Sequence, residues 1–187
     1  MKLKNLREFN PERVAKIETE MWQAYYRHNF LKLFILLLRL VHNQFQLGYF
    51  YTIKTAYYSA IAAIIFRKSR GKENKDLLEK KLTKFFKNVS AVAQDKFDYQ
   101  KAAELELQWW MVDRYPEKYP IDRRNALGKA MASVYNIDPE KLATYSEYRA
   151  QAMELQDEAE KENKEADWGK VQSLLLASYE SLYKAIN

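Results

Sequence analysis

Cysteine is absent from this 187-residue chain. That excludes a disulfide framework, a zinc knuckle, an iron–sulfur cluster and a thiol nucleophile. Glycine and proline are scarce, at 4 residues each, where ordinary globular proteins devote roughly 12% of the chain to the two together. A sandwich or barrel needs turn formers between its many short strands, so the shortage argues against both. Histidine is represented only by His28 and His42. Long uncharged runs are lacking too. The most apolar stretches are Phe30 to Val41, broken by Lys32 and Arg39, and Thr55 to Phe66, bounded by Lys54 and Arg67. Neither reaches the ~18 uncharged residues that suggest a membrane-spanning helix. The opening MKLKNLREFNPERV has no apolar core of secretory-signal length. The expectation is a cytoplasmic protein, with a peripheral membrane contact left open.

What the chain does have is aromatic and aliphatic surface to bury: 48% of residues are hydrophobic, among them 4 Trp, 14 Tyr and 9 Phe. Such a composition is not that of a disordered chain, and the length suits a single domain over 1–187. Charge is uneven. Residues 1–100 carry 19 Lys+Arg against 9 Asp+Glu, and residues 101–187 carry 12 against 16.

Cap residues and apolar spacing divide the chain into helices. After an N-terminal extension, 1–9, Asn10-Pro11 reads as a cap followed by proline at the first helical position, and Val14, Ile17, Met21 and Tyr25 continue one face to about Arg27. Second and third helices run over Phe30–Leu47, capped by Asn29, and Phe50–Arg67, parted at Gly48. A basic loop, 67–75, leads to a fourth that opens at Asn74 or Lys75 and reaches Val92. Asp98 caps a fifth, Tyr99–Arg114, which stops before the turn from Pro116 to Pro120. The last three are Arg123–Tyr135, Pro139 to about Asn163 behind Asp138, and Trp168–Ile186 behind Asp167. No strand-like alternation and no solenoid-length repeat occurs, so the predicted fold is all-α, a single-domain bundle of about eight helices. The second and third helices, apolar nearly all round, are expected at the centre; the two-faced fourth and sixth are expected as outer cover.

Several charged residues fall on the wrong face. Each helical residue is turned ~100° from the last, and this places Glu18 among Val14, Met21, Trp22 and Tyr25. On the fifth helix Glu106 lies between the directions of Ala102, Trp109 and Trp110, with Asp113 further along the same line. Both glutamates precede a tryptophan by four residues. Lys54 lies among Phe50, Tyr57, Tyr58 and Ile61, and Arg149 among Leu142, Tyr145 and Met153; Gln44, Gln156 and Gln172 also interrupt apolar faces. An isolated buried charge costs several kcal/mol, so these groups are expected to meet. The predicted cluster draws on helices one, three, five and seven. Two readings stand side by side: a structural ion-pair network that sets helix register, or a pocket within the bundle. In the second, Lys54 and Arg149 hold a small anionic or polar ligand, Trp22, Trp110 and Tyr58 form its walls, and Glu18 or Glu106 serves as acid or base.

Other chemistries find less support. A ferritin-like site needs Glu-x-x-His on two helices; Arg39, not Glu, precedes His42 by three, and His28 sits at a helix junction. Glu18 and Glu106 as carboxylate metal ligands are thus a remote alternative, and no metal or cofactor is assigned. His42 as a haem ligand rests on one histidine. No G-x-S-x-G, P-loop or Gly-rich dinucleotide motif occurs. Arg67 to Lys87 holds nine Lys+Arg against three acids, with Lys80, Lys81, Lys84 and Lys87 on one face. That patch offers non-specific attraction to nucleic acid or an anionic membrane. A protein partner would use it equally, and the stretch Glu147 to Asp167, eight acids against three bases, could complement it in a homo-oligomer.

The segments Glu18-x-x-x-Trp22-x-x-Tyr25-Tyr26 and Ala103-Glu104-Leu105-Glu106-Leu107-Gln108-Trp109-Trp110 together resemble an uncharacterised family of small, all-helical bacterial proteins. The resemblance spans the first two thirds of the chain and implies no activity. The functional expectation is a binding or interaction protein with a charged, aromatic core cluster. An enzyme using Glu18 and Glu106, or a binder of anionic surfaces, is the alternative.

Overall fold

Short polar side chains start most of the helices. Asn10, Asn29 and Asn74 each accept a hydrogen bond from a backbone amide three residues on, at 2.8, 3.1 and 3.0 Å. Asp98, Asp122 and Asp167 do the same. Each satisfies a donor that the first helical turn leaves unpaired. The structure, a computed structural model, describes residues 3–187; Met1 and Lys2, the start of the expected extension, lie outside the described residues. Among these residues are eight α-helices: α1 (Pro11–Tyr26), α2 (Phe30–Phe45), α3 (Tyr49–Lys68), α4 (Lys75–Val92), α5 (Tyr99–Arg114), α6 (Arg123–Tyr135), α7 (Ala143–Lys161) and α8 (Trp168–Ile186). No helix is long and apolar enough to cross a membrane among the described residues.

Two boundaries differ from the sequence reading. Helix α2 ends at Phe45 because Gln46 turns left-handed, with φ 51°. The buried Leu47 then offers its carbonyl to His42 Nδ1–H at 2.8 Å and to the Thr52 hydroxyl at 3.1 Å. His42 is thereby an exposed tie across the α2–α3 corner. Pro139–Leu142 forms a 3₁₀ turn, and α7 begins at Ala143.

Each helix packs on the next in chain order, and α8 closes against α1, so the bundle is a ring. Residues 3–9 lie along it: Lys4 pairs backbone groups with Val92 and Gln94 at 2.8 Å, and Leu6 and Phe9 are buried. The arrangement corrects the expected layering. Helices α2 and α3 are not central. Each buries one side, through Leu36, Leu40, Val41 and Phe45 or through Thr52, Thr55, Ala56 and Ala62, and leaves apolar side chains exposed on the other. Helix α6, expected as cover, buries Ala126, Leu127, Gly128, Ala130, Ala132, Val134 and Tyr135. Its small residues permit close approach, whereas the bulky faces of α2 and α3 exceed what two neighbours can cover.

Candidate functional site

Glu18, on α1, is buried at 2% exposure. Arg149 of α7 grips its carboxylate with both guanidinium nitrogens, at 2.9 and 2.5 Å, and the Tyr179 hydroxyl of α8 donates to it at 2.6 Å. Burial pushes the Glu18 carboxyl up, but the Arg149 charge and the hydrogen bonds of Arg149, Tyr179 and Trp22 outweigh it and hold the group below its ordinary range. The guanidinium lies 6.0 Å from the ring centres of Trp22 and of Tyr179. A bidentate pair of this kind satisfies charge and geometry together. Close by, the Ser178 hydroxyl donates to the Tyr145 carbonyl at 2.9 Å, tying α8 to α7.

Glu106, on α5, faces the same interior without a cation of its own. The Trp110 indole N–H donates to it at 2.9 Å, and among the described residues it forms no ion pair. Burial raises its pKa, and the indoles of Trp109 and Trp110 and the more distant Arg149 offset only part of that, while the Glu18 charge adds to the rise. The interior therefore holds two carboxyls against one guanidinium. Glu106, Trp22, Trp110 and Arg149 each keep some accessible surface.

The structure brings Glu18, Trp22, Glu106, Trp110 and Arg149 together and separates the rest. Lys54 is exposed on α3, 5.8 Å above the Phe50 ring, and so does not enter the cluster as the second cation. With α3 apolar nearly all round, helical phase alone gave that lysine no polar arc, and it takes the outer side where its ammonium stays hydrated. Tyr58 is half-buried beneath the Lys84 ammonium, 5.4 Å from its ring centre. Asp113 pairs with Arg123 at 2.7 Å, and Arg123 also pairs with Asp157 at 2.7 Å, a separate link from α5 through α6 to α7. Gln44 is buried beside Tyr135, and Tyr25 stacks against the Arg67 guanidinium at 4.9 Å. Gln156 is buried and Gln172 exposed. Lys80, Lys84 and Lys87 are exposed on α4, and Lys81 is half-buried.

The cluster draws on α1, α5, α7 and α8, so the eighth helix takes the place expected for the third. Tyr179 was not foreseen. A tyrosine on an apolar face violates no pattern, since its ring is at home there and only its hydroxyl seeks a partner. The Arg67 guanidinium, with a buried Nη1 that finds no partner, was also missed.

An open cleft of about 510 Å³ lies between α5 and α6 over Lys101, Glu104, Gln108, Lys129 and Ser133, and a niche of about 10 Å³ lies beneath Arg7, Asp95 and Tyr135. Neither is lined by Glu18, Glu106 or Arg149. Among the described residues, no three His, Asp or Glu side chains are grouped as metal ligands would be. Chemically, Glu18 is occupied by its partners, whereas Glu106 is free to accept a cation or to give a proton. Comparison of the chain with protein-family models, curated proteins and solved structures gave no match.

Proposed function

We propose that this chain is a binding protein whose core site, centred on Glu106, takes a small molecule with a basic nitrogen. The observation that carries the reading is the surplus carboxyl: Arg149 is committed to Glu18, Lys54 is outside, and Glu106 has only indole N–H donors. An amine or guanidine would supply the missing charge, and tryptophan faces beside a carboxylate suit such a cation. The anionic ligand considered from the sequence loses its second cation with Lys54. Partial accessibility of Glu106, Trp22 and Trp110 supports the approach of a ligand.

The test is a thermal-shift and calorimetric series with monoamines, diamines and guanidines, beside small carboxylates as controls. A ligand at a hundredfold excess over its Kd stabilises by about 2.7 kcal/mol, a readily visible rise in Tm. Saturable binding of a cation that strengthens as pH rises and Glu106 ionises, and that Glu106→Gln abolishes, is expected. No amine response, or one that survives Glu106→Gln, would refute the reading. The raised pKa of Glu106 favours a second use of the same group, as a general acid toward a bound substrate.

A further inference from the structure

The outer side of α2 and α3 is untouched by the core site. Of the eleven large apolar side chains exposed among the described residues, eight belong to these two helices. Leu31 is 75% exposed, Tyr49 84% and Phe50 69%. Along α3, Phe50, Ile53, Tyr57 and Ile64 recur at helical spacing and form one stripe. Water is a poor solvent for so much exposed apolar side chain on two adjacent helices, which marks a place of contact.

The charge that these two helices themselves carry has one sign, although Asp76 and Glu79 lie exposed on the neighbouring α4 and Arg27 is paired with Glu165. From Met21 to Lys72 the sequence contains no aspartate or glutamate, but eight lysines and arginines. Lys32 and Arg39 are exposed on α2 and Lys54 on α3. The Lys84 ammonium above Tyr58 brings the lysine row of α4 alongside. At the rim, Arg67 has no carboxylate partner among the described residues; its guanidinium lies 5.7 Å from the Phe30 ring and donates to His28 Nδ1 at 2.9 Å.

We propose that this face docks on a membrane surface containing anionic phospholipid. Exposed aliphatic and aromatic side chains enter the boundary between headgroups and acyl chains, and the surrounding Lys and Arg meet lipid phosphates. Tyrosine beside lysine and arginine is the composition of the membrane–water interface. Neither helix can span a bilayer, so the face lies on it. A symmetric second copy would set cations against cations, since such a contact places the same patch on both sides. A soluble acidic partner would answer the charge, but protein interfaces are depleted in lysine, and Lys32, Lys54 and Lys84 accompany this face.

The test is co-sedimentation of the full chain with phosphatidylcholine vesicles, with and without phosphatidylserine, across a salt series. The chain and its Leu31→Asp/Phe50→Asp variant are compared by sedimentation velocity, and circular dichroism confirms the fold of the variant. Expected is binding to the serine-containing vesicles only, weakened by salt and reduced about tenfold or more by the two aspartates, as lost insertion predicts. In a Phe50→Trp reporter, indole emission should shift to the blue on these vesicles. Absence of vesicle binding at low salt overturns the proposal. So does binding that the aspartates leave unchanged and that only Lys80→Gln/Lys84→Gln/Lys87→Gln removes. Self-association lost in the aspartate variant, without vesicle binding, would assign the face to a protein contact instead and equally refute it.

Discussion

Two interior glutamates, Glu18 fully buried and Glu106 half-buried, behave oppositely because of what faces them. Glu18 meets a guanidinium and a phenol and is held ionised; Glu106 meets indoles and is pushed toward its neutral form. Removing Arg149 should strand the Glu18 carboxylate, whose side chain is 3% exposed, beside a second acid. Arg149→Met is therefore expected to lose about 3–5 kcal/mol of stability at neutral pH, measured by urea unfolding. Glu106→Gln breaks no ion pair, and its amide oxygen can still accept from Trp110. Its stability should match or exceed that of the parent, within about 1 kcal/mol. Equal losses in the two variants would show that the guanidinium is shared between the carboxyls.

At the scale of elements, Gly128 shows where tertiary packing overrides local preference. Glycine in a helix interior is ordinarily worse than alanine by roughly 0.5–1 kcal/mol, yet here α6 needs it. A Cβ at this position would stand 2.9 Å from Ser146 Oγ of α7 and 3.7 Å from the Pro139 carbonyl. Gly128→Val should cost on the order of 1–3 kcal/mol through overpacking; a variant as stable as the parent would mean that the Ser146 hydroxyl turns aside and leaves room. The Asn10 cap makes a simpler case. Its bond to the Arg13 amide is exposed and local, and Asn10→Ala should lose about 1 kcal/mol in the same assay.

For the whole molecule, the dependence of stability on pH follows from the carboxyls that folding perturbs. Burial would raise Glu73, but hydrogen bonds from Tyr115 and Arg114 prevail and hold it at about 2, against an ordinary 4.5. Glu18 is lowered too. A carboxyl lowered by folding contributes stability that is complete above its unfolded pKa and is lost as pH falls toward its folded one. Glu106 has the opposite sign: its penalty is complete above its raised pKa and shrinks as pH falls toward the ordinary 4.5. Stability should thus decline as pH drops from about 4.5 to about 2, and Glu73→Gln should flatten that decline. An unchanged slope in the variant would place the acid-sensitive groups elsewhere.

The helices were legible from the chain because their determinants are local. Asn10, Asn29, Asp98 and Asp167 cap wherever they stand before a periodic run, and α5, α6 and α8 begin and end where spacing and caps put them. The misplaced charges Glu18, Glu106 and Arg149 were legible for a related reason: a charge off its helix's polar arc stands out, whereas α3, apolar nearly all round, gave no such contrast for Lys54. What each charge meets is a property of several helices at once. Only the closed ring decided that Tyr179 of α8 reaches Glu18, that Lys54 stays in solvent, and that Glu106 has no cation. It also decided the places of α2 and α3. Hydrophobicity marks a face as needing cover, but the amount of cover depends on how many neighbours the fold supplies, and a ring gives each helix two.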